Sequence, residues 1–336
     1  MKRNPYTEKS SPSILTLMYH RIDTIDTNPW GICISPQNFE KQIAFLHENY
    51  RVISIDEAVK QVSENKIQEN CVCITFDDGY ADNYFHAKAL LEKYNCPATF
   101  FIATAFIDQQ KSFWWDHLEM IFLHSKQLPG KLSLQIGDEK LSFQLSENKL
   151  TEQQWRQHQN WKWHTAPPTD RCKIYLLLWE KLTALSPEKI EVVLNELKHW
   201  SCYDKQDHAQ LLPMNSEQLH EFSSNNLFTL ALHTHNHCDL SWLDQQTQKD
   251  EITACKKILQ DQFAINSNYF SYPFGKYNDD TLTLVKDLQL SACFTTNASL
   301  INRQSNKFLL GRFQPFNWSD HTFKKYIDAW FAKATD

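Results

Sequence analysis

Two adjacent carboxylates, Asp77 and Asp78, stand at the end of the apolar run Cys71-Val72-Cys73-Ile74-Thr75-Phe76, with Gly79 directly after them. The β-branched lead-in reads as a buried strand, and the glycine permits a sharp turn. Neighbouring buried aspartates repel each other and both lose hydration, so the pair is costly without a cation. A blander arrangement has one Asp capping the next helix and the other facing solvent. The second feature is His233-Thr234-His235-Asn236-His237, which follows the strand-like run Phe228-Thr229-Leu230-Ala231-Leu232. Three histidines in five residues favour metal binding over a polar loop. A helical turn after His233 aims His233 and His237 at one centre, whereas an extended chain puts all three on one side, so spacing leaves the choice of ligands open. One carboxylate and two imidazoles, with a position left for water, is the open geometry of a catalytic zinc site.

These groups need a scaffold that brings strand ends together. Residues 14–19 read as a first strand with His20-Arg21 at its end, followed by a helix started by Ser35-Pro36 with Phe39, Ile43 and Leu46 on one face. A second strand is expected over 50–55, with Asp56 capping the following helix. The third is 71–76, with a helix to about 94, and the fourth is 98–103. Strands alternating with helices at this spacing predict a parallel α/β layout, whose chemistry gathers at the strand carboxyl ends. Between 108 and 215 the alternation lapses into a Trp-, Gln-, Lys- and Leu-rich stretch with helical periods and a hairpin expected over 131–145. We read it as a largely helical insertion over the active face. Trp114, Trp115 and Asp116 open it, as sugar-contacting groups or as core. Trp155, Trp161 and Trp163 fit core packing better. The rhythm resumes at 228–232 and runs through 250–262, 269–272, 279–288 and 292–295 to a last helix from Asp320. The domain reading is a flexible N-terminus at 1–13, a barrel from 14–107 and 216–336, and the 108–215 insertion.

With 336 residues, 42% apolar and 13% aromatic, the chain can bury a barrel-sized core. A formal charge of −6 and the absence of a basic block argue against a nucleic-acid surface. Nine scattered cysteines suit reduced core thiols. The run 14–18 is too short and too late for a signal-peptide core, and no stretch has transmembrane length. The expectation is a cytoplasmic protein able to sit peripherally at the inner membrane.

Met18-Tyr19-His20-Arg21, Thr75-Phe76-Asp77-Asp78-Gly79, His233-Thr234-x-x-His237 and Tyr272-Pro273-Phe274-Gly275 occur in that order. Together they resemble the polysaccharide deacetylases of carbohydrate esterase family 4, the NodB-homology group, over about 14–107 and 216–315. The resemblance implies a distorted, incomplete (β/α)7 barrel. By motif position it implies Asp77 as general base, and Asp78, His233 and His237 as ligands of a zinc ion, another divalent metal being an alternative. The backbone N–H of Phe274 would be an oxyanion donor, beside Tyr272 and Pro273 of the same motif; Trp115 and Asp116 of the insertion, outside the likeness, and Arg312 in Leu310-Gly311-Arg312-Phe313 are candidates for substrate binding. The chain departs from the family at Ser271, where many members carry an arginine that orients the base. It also lacks a clear late Leu-x-His motif for the general acid. His20 is the candidate for acid or substrate contact, with a structural role as the alternative. Asp239 is expected to cap a helix or support a ligand histidine.

The expected activity is zinc-dependent removal of N-acetyl groups from an acetamido sugar in a polysaccharide or in a lipid- or nucleotide-linked precursor. The alternatives are a glycan O-deacetylase and a non-catalytic glycan-binding relative. A zinc peptidase is disfavoured because no Glu follows the first histidine.

Overall fold

The strands beneath the motif residues are mostly apolar and buried along their whole length, as parallel strands covered by helices must be. A computed structural model describes residues 11–146, 148–203 and 211–332. Its main sheet has seven parallel strands: Ile14–Tyr19 (β1), Arg51–Ile53 (β2), Cys71–Phe76 (β3), Ala98–Ile102 (β4), Phe228–Leu232 (β5), Tyr269–Ser271 (β6) and Ala292–Phe294 (β7). The order is β1-β3-β4-β5-β6-β7, with β2 flanking the start of β3 and β4 its end. Between β7 and β1 no regular strand intervenes among the described residues. Instead Leu310 bridges Phe294 and Phe313 bridges Leu17, so the segment 310–313 closes the curl by isolated pairs. This is the expected α/β class, a curled and imperfect barrel.

Local sequence explains the element ends. Ser35 accepts from the Asn38 N–H, and Pro36 occupies the first turn of the helix Pro36–Asn49. The next helix, Ile55–Ser63, is capped by Ser54 rather than the expected Asp56, because Ser54 is the residue whose extended backbone lets its hydroxyl reach the Glu57 N–H. Of the expected flexible N-terminus, residues 1–10 lie outside the described residues. Ser13, however, is buried, its N–H bonded to Asn70 and its carbonyl to the Cys71 N–H.

A second apolar cluster sits beside the barrel core, built from residues such as Leu118, Phe122, Leu178 and Leu194, with Tyr80 and Ala103 as the barrel's share. Its helices include Trp114–Glu119, Asp170–Thr183 and Pro187–Ser201, and a hairpin pairs Lys131–Ile136 with Glu139–Gln144. All nine cysteines are free and eight are buried. No helix among the described residues is long and apolar enough to cross a membrane.

Candidate active site

Asp77, Asp78 and His233 each follow directly on a barrel strand, at its carboxyl end. The Asp77 N–H continues the ladder to the Tyr19 carbonyl, and Asp78 then turns into the left-handed region at φ 72°. Gly79 (φ 85°) completes the turn, where a Cβ would lie 3.0 Å from Ile102. Thr234 (φ 62°), His237 (φ 55°) and Phe274 (φ 56°) share this sparsely populated conformation. Four non-glycine residues held there in one place mark a site whose surroundings over-determine it.

The histidine loop is fixed by Glu251, whose carboxylate accepts from the backbone N–H groups of His235 and Asn236 and from the Asn236 side chain. His235 turns away to Thr104. Of the three histidines, His233 and His237 face Asp78, with Nε2 atoms 3.4 and 3.1 Å from Oδ1. The ligand atoms of Asp78, His233 and His237 all lie within 4.8 Å of one another. His233 Nδ1 lies 2.8 Å from the Ser271 carbonyl, an acceptor, so that nitrogen carries the proton. In the neutral ring Nε2 then presents a lone pair to a carboxylate oxygen, and two acceptors face each other unless a cation stands between. Burial lowers the His237 pKa and outweighs the opposing pull of Asp78, which favours a neutral His237 ring. The donor set therefore fits a divalent metal.

Asp77 is placed differently. Burial pushes its pKa up, but the Arg312 guanidinium, with help from His233 and His20, takes it below the ordinary carboxylate range. Arg312 is fully buried and uses all five donors: Nη1 to Asp77 Oδ1 (2.7 Å) and Thr75 Oγ1, Nη2 to Asp77 Oδ2 (2.7 Å) and Ser271 Oγ, and Nε to the Thr295 carbonyl. Here lies the answer to the departure at Ser271. The guanidinium that orients the carboxylate arrives from the closing segment 310–313, and Ser271 joins it as a hydroxyl bridge. Arg312 thus belongs beside the carboxylate, a role that substrate binding did not anticipate.

A cavity of about 530 Å³ opens over these groups, lined by Asp77, Asp78, His233, His237, His20 and Arg312 among others. His20 Nδ1 has no hydrogen-bond partner among the described residues, and burial lowers its pKa against the pull of Asp78 and Asp77. Phe274 and Trp115 pack on the His237 ring at centroid distances of 4.6 and 4.7 Å.

Three expected site residues do not reach this cavity. Tyr272 is buried in the main core with its hydroxyl on the Phe308 carbonyl. Pro273 is buried and shapes the turn that carries Phe274. Asp116 accepts from the Tyr80 hydroxyl and lines a separate cavity of about 290 Å³ with Arg21, Thr27 and Glu119. Burial raises its pKa to about 8. Asp239 caps a short turn through Ser241 rather than supporting a ligand. Trp161 packs in the second core, while Trp163 is 47% exposed and stacks on Trp30. The sequence reading missed Trp30, Trp179, Trp318 and Tyr326 on the cavity wall. The one available signal was Tyr326 and Trp330 four apart on the last helix.

A curled parallel barrel thus carries an Asp–His–His cluster and a gripped second aspartate at its carboxyl face, and sequence comparison gives the class. A profile of the polysaccharide deacetylase family matches residues 64–128 and 201–293. That match and the curated relative indicate a deacetylase-type hydrolase. It is 23% identical over 326 residues to the putative polysaccharide deacetylase YxkH of Bacillus subtilis (strain 168), covering 96% of this chain and 78% of that one. Among solved structures it is similar to IcaB from Ammonifex degensii (16% identity, TM-score 0.58, 96% and 98% of the two chains). It is also similar to the Streptococcus pyogenes deacetylase PplD in complex with acetate (20%, 0.54, 94% and 98%). These likenesses support the barrel fold.

Proposed function

We propose that the protein removes N-acetyl groups from an acetamido sugar of a glycan or of its lipid- or nucleotide-linked precursor, with Asp78, His233 and His237 holding a zinc ion. The observation that carries this reading is the convergence of those three buried ligand atoms beside a carboxylate fixed by Arg312. Zinc in that position supplies a water acidified toward pKa ~7 and polarisation of the scissile carbonyl.

The remaining work falls to the chain. Asp77 is ionised at neutral pH and takes the proton of the attacking water. The depressed pKa makes its protonated form a strong acid, so the proton passes on to the amine nitrogen as the C–N bond breaks and acetate leaves. His20, kept neutral by burial, suits a hydrogen bond to substrate better than proton donation. Phe274 offers its backbone N–H where negative charge develops on the carbonyl oxygen. Trp115 and Phe274 exclude water from one side of the His237 ring.

The test is acetate release across a panel of free, oligomeric and lipid-linked acetamido sugars, with metal content measured on the same samples. Asp77→Asn is expected to abolish release and keep the metal, and His237→Ala to lose both. Wild-type turnover in Asp77→Asn ends the assignment of the base. A fully loaded protein that releases no acetate from any acetamido sugar ends the activity itself.

A further inference from the structure

The two imidazoles of the cluster are held by different means. His233 is fixed by the hydrogen bond from its Nδ1 to the Ser271 carbonyl. His237 Nδ1 is buried and has no hydrogen-bond partner among the described residues. Aromatic packing locates that ring instead, with Phe274 at 4.6 Å, Trp115 at 4.7 Å and Phe113 at 6.2 Å between centroids. A ligand ring held this way is only as well aimed as the rings around it. Of these, Trp115 has its own place set by polar bonds. Its indole N–H donates to the Tyr80 hydroxyl at 2.8 Å, and that hydroxyl donates to the Asp116 carboxyl, 3.1 Å from each oxygen. Phe113 stacks on Trp115 with centroids 4.6 Å apart and planes 7° from parallel. Arg21, paired with Asp82 at 2.9 Å, lies 4.7 Å over the Tyr80 ring. All of these side chains are buried.

We propose that Tyr80, braced by Asp116, is a positioning residue for the metal ligand His237 and acts through the indole of Trp115. This rests on the reading of Asp78, His233 and His237 as metal ligands, and it gives the second core a part in holding the ion. Tyr80 follows Gly79 in the loop that carries Asp77 and Asp78, whereas Trp115 and Asp116 stand on the helix Trp114–Glu119. The bonds therefore tie the metal-facing loop to the second core, and the chain of contacts ends on the ligand ring. A hydroxyl at its centre has a specific use. It accepts from the indole and donates to the carboxyl at once, which fixes the rotation of both. A phenylalanine fills the same volume and does neither.

The second core contains a matched control. Trp30 donates through Nε1 to the hydroxyl of the buried Tyr175 at 2.7 Å, the same indole–phenol bond. Among the described residues neither of that pair packs on the His237 ring. The experiment strips the full-length protein of metal and titrates zinc alone back against a chromophoric chelator. The wild type is expected to bind zinc in a way that His237→Ala abolishes. Tyr80→Phe should weaken zinc by about tenfold or more, the usual cost of losing a group that orients a metal-bound histidine, while Tyr175→Phe stays within about twofold. Asp116→Ala should share the loss, and Asp116→Asn, whose amide oxygen still accepts from Tyr80, should restore most of it. Unchanged zinc affinity in Tyr80→Phe overturns the proposal. So does an equal loss in Tyr80→Phe and Tyr175→Phe, the mark of a second core that has merely loosened. A wild type with no His237-dependent zinc instead ends the metal reading, and the positioning role with it.

Discussion

Arg312 grips Asp77 by both carboxylate oxygens, at 2.7 Å each, from a position 235 residues further along the chain. The pair is buried, and every donor of the guanidinium has an acceptor, so the geometry is rigid rather than merely attractive. Arg312→Lys keeps a positive charge but loses the planar fork. It is expected to lower kcat by about a hundredfold with KM changed less than about threefold, since it disturbs orientation at the reacting centre more than substrate affinity. Arg312→Ala leaves a buried carboxylate unpaired and should cost about 3–5 kcal/mol in chemical denaturation. Lysine kinetics equal to wild type would show that orientation by the fork is irrelevant.

His20 offers a sharper division between contact and proton transfer. A glutamine can replace an imidazole as a hydrogen-bonding group but cannot donate a proton as an acid. If His20 contacts substrate, His20→Gln keeps kcat within about tenfold of wild type, whereas loss of a general acid or base costs about 10²–10⁴-fold. Steady-state kinetics on the best panel substrate decide between them, and a thousandfold loss in His20→Gln would return the acid role to this residue.

The placement of the candidate residues was legible in the sequence wherever they lie in short runs that begin at a strand end. Asp77-Asp78 and His233…His237 each follow an apolar strand, and strand ends are what a parallel barrel gathers. The position of Arg312 was not legible in the same way. Its partners Thr75, Asp77 and Ser271 are all remote in sequence, and no local pattern says which side chain the closing segment will turn inward. Tyr272 was misplaced for a related reason. Adjacent residues of a strand point to opposite faces, so Ser271 reaches the site while the Tyr272 ring enters the core. The aromatic wall escaped notice because Trp30, Trp179 and Trp318 come from three separate regions that meet only in the folded chain.

Gly275 sets where the Phe274 amide sits. Its φ is 68°, and a Cβ there would fall 2.1 Å from the Thr296 hydroxyl and 2.9 Å from Thr296 Cβ. Gly275→Ala therefore has to displace the turn that holds Phe274 against His237. We expect kcat to fall by about 10–100-fold, the range of a weakened oxyanion contact, while the far-ultraviolet dichroism stays that of the folded protein. The double variant Gly275→Ala/Thr296→Ala removes the obstructing hydroxyl and should recover part of the loss. Undiminished turnover in the single variant would detach this turn from the reaction.

Asp116 makes stability, rather than turnover, the observable. Burial raises its pKa to about 8, against the counter-pull of Arg21, so the native carboxyl holds a proton that the unfolded chain has released. A group with a raised folded-state pKa contributes stability that is intact below about pH 4, declines as pH climbs, and is wholly lost above about 8. Between pH 6.5 and 8 the ionised Asp77 and Asp78 add no slope, because their folded-state pKa values lie below the ordinary range. His20, His158 and His237, whose pKa values burial lowers from 6.5, oppose this slope near pH 6.5, where their unfolded forms still hold protons, and fade toward pH 8. Glu119, raised to about 7, contributes in the lower half of the window. Wild-type unfolding free energy should therefore fall over the upper part of this range, with Asp116 supplying up to ~1.4 kcal/mol per pH unit where it stays protonated only in the fold. Asp116→Asn mimics the protonated form and should flatten the decline, leaving the smaller share of Glu119. Denaturant titrations of both proteins at pH 6.5, 7.25 and 8 measure the difference. Parallel slopes would mean that the Tyr80–Asp116 pair is already ionised in the native protein.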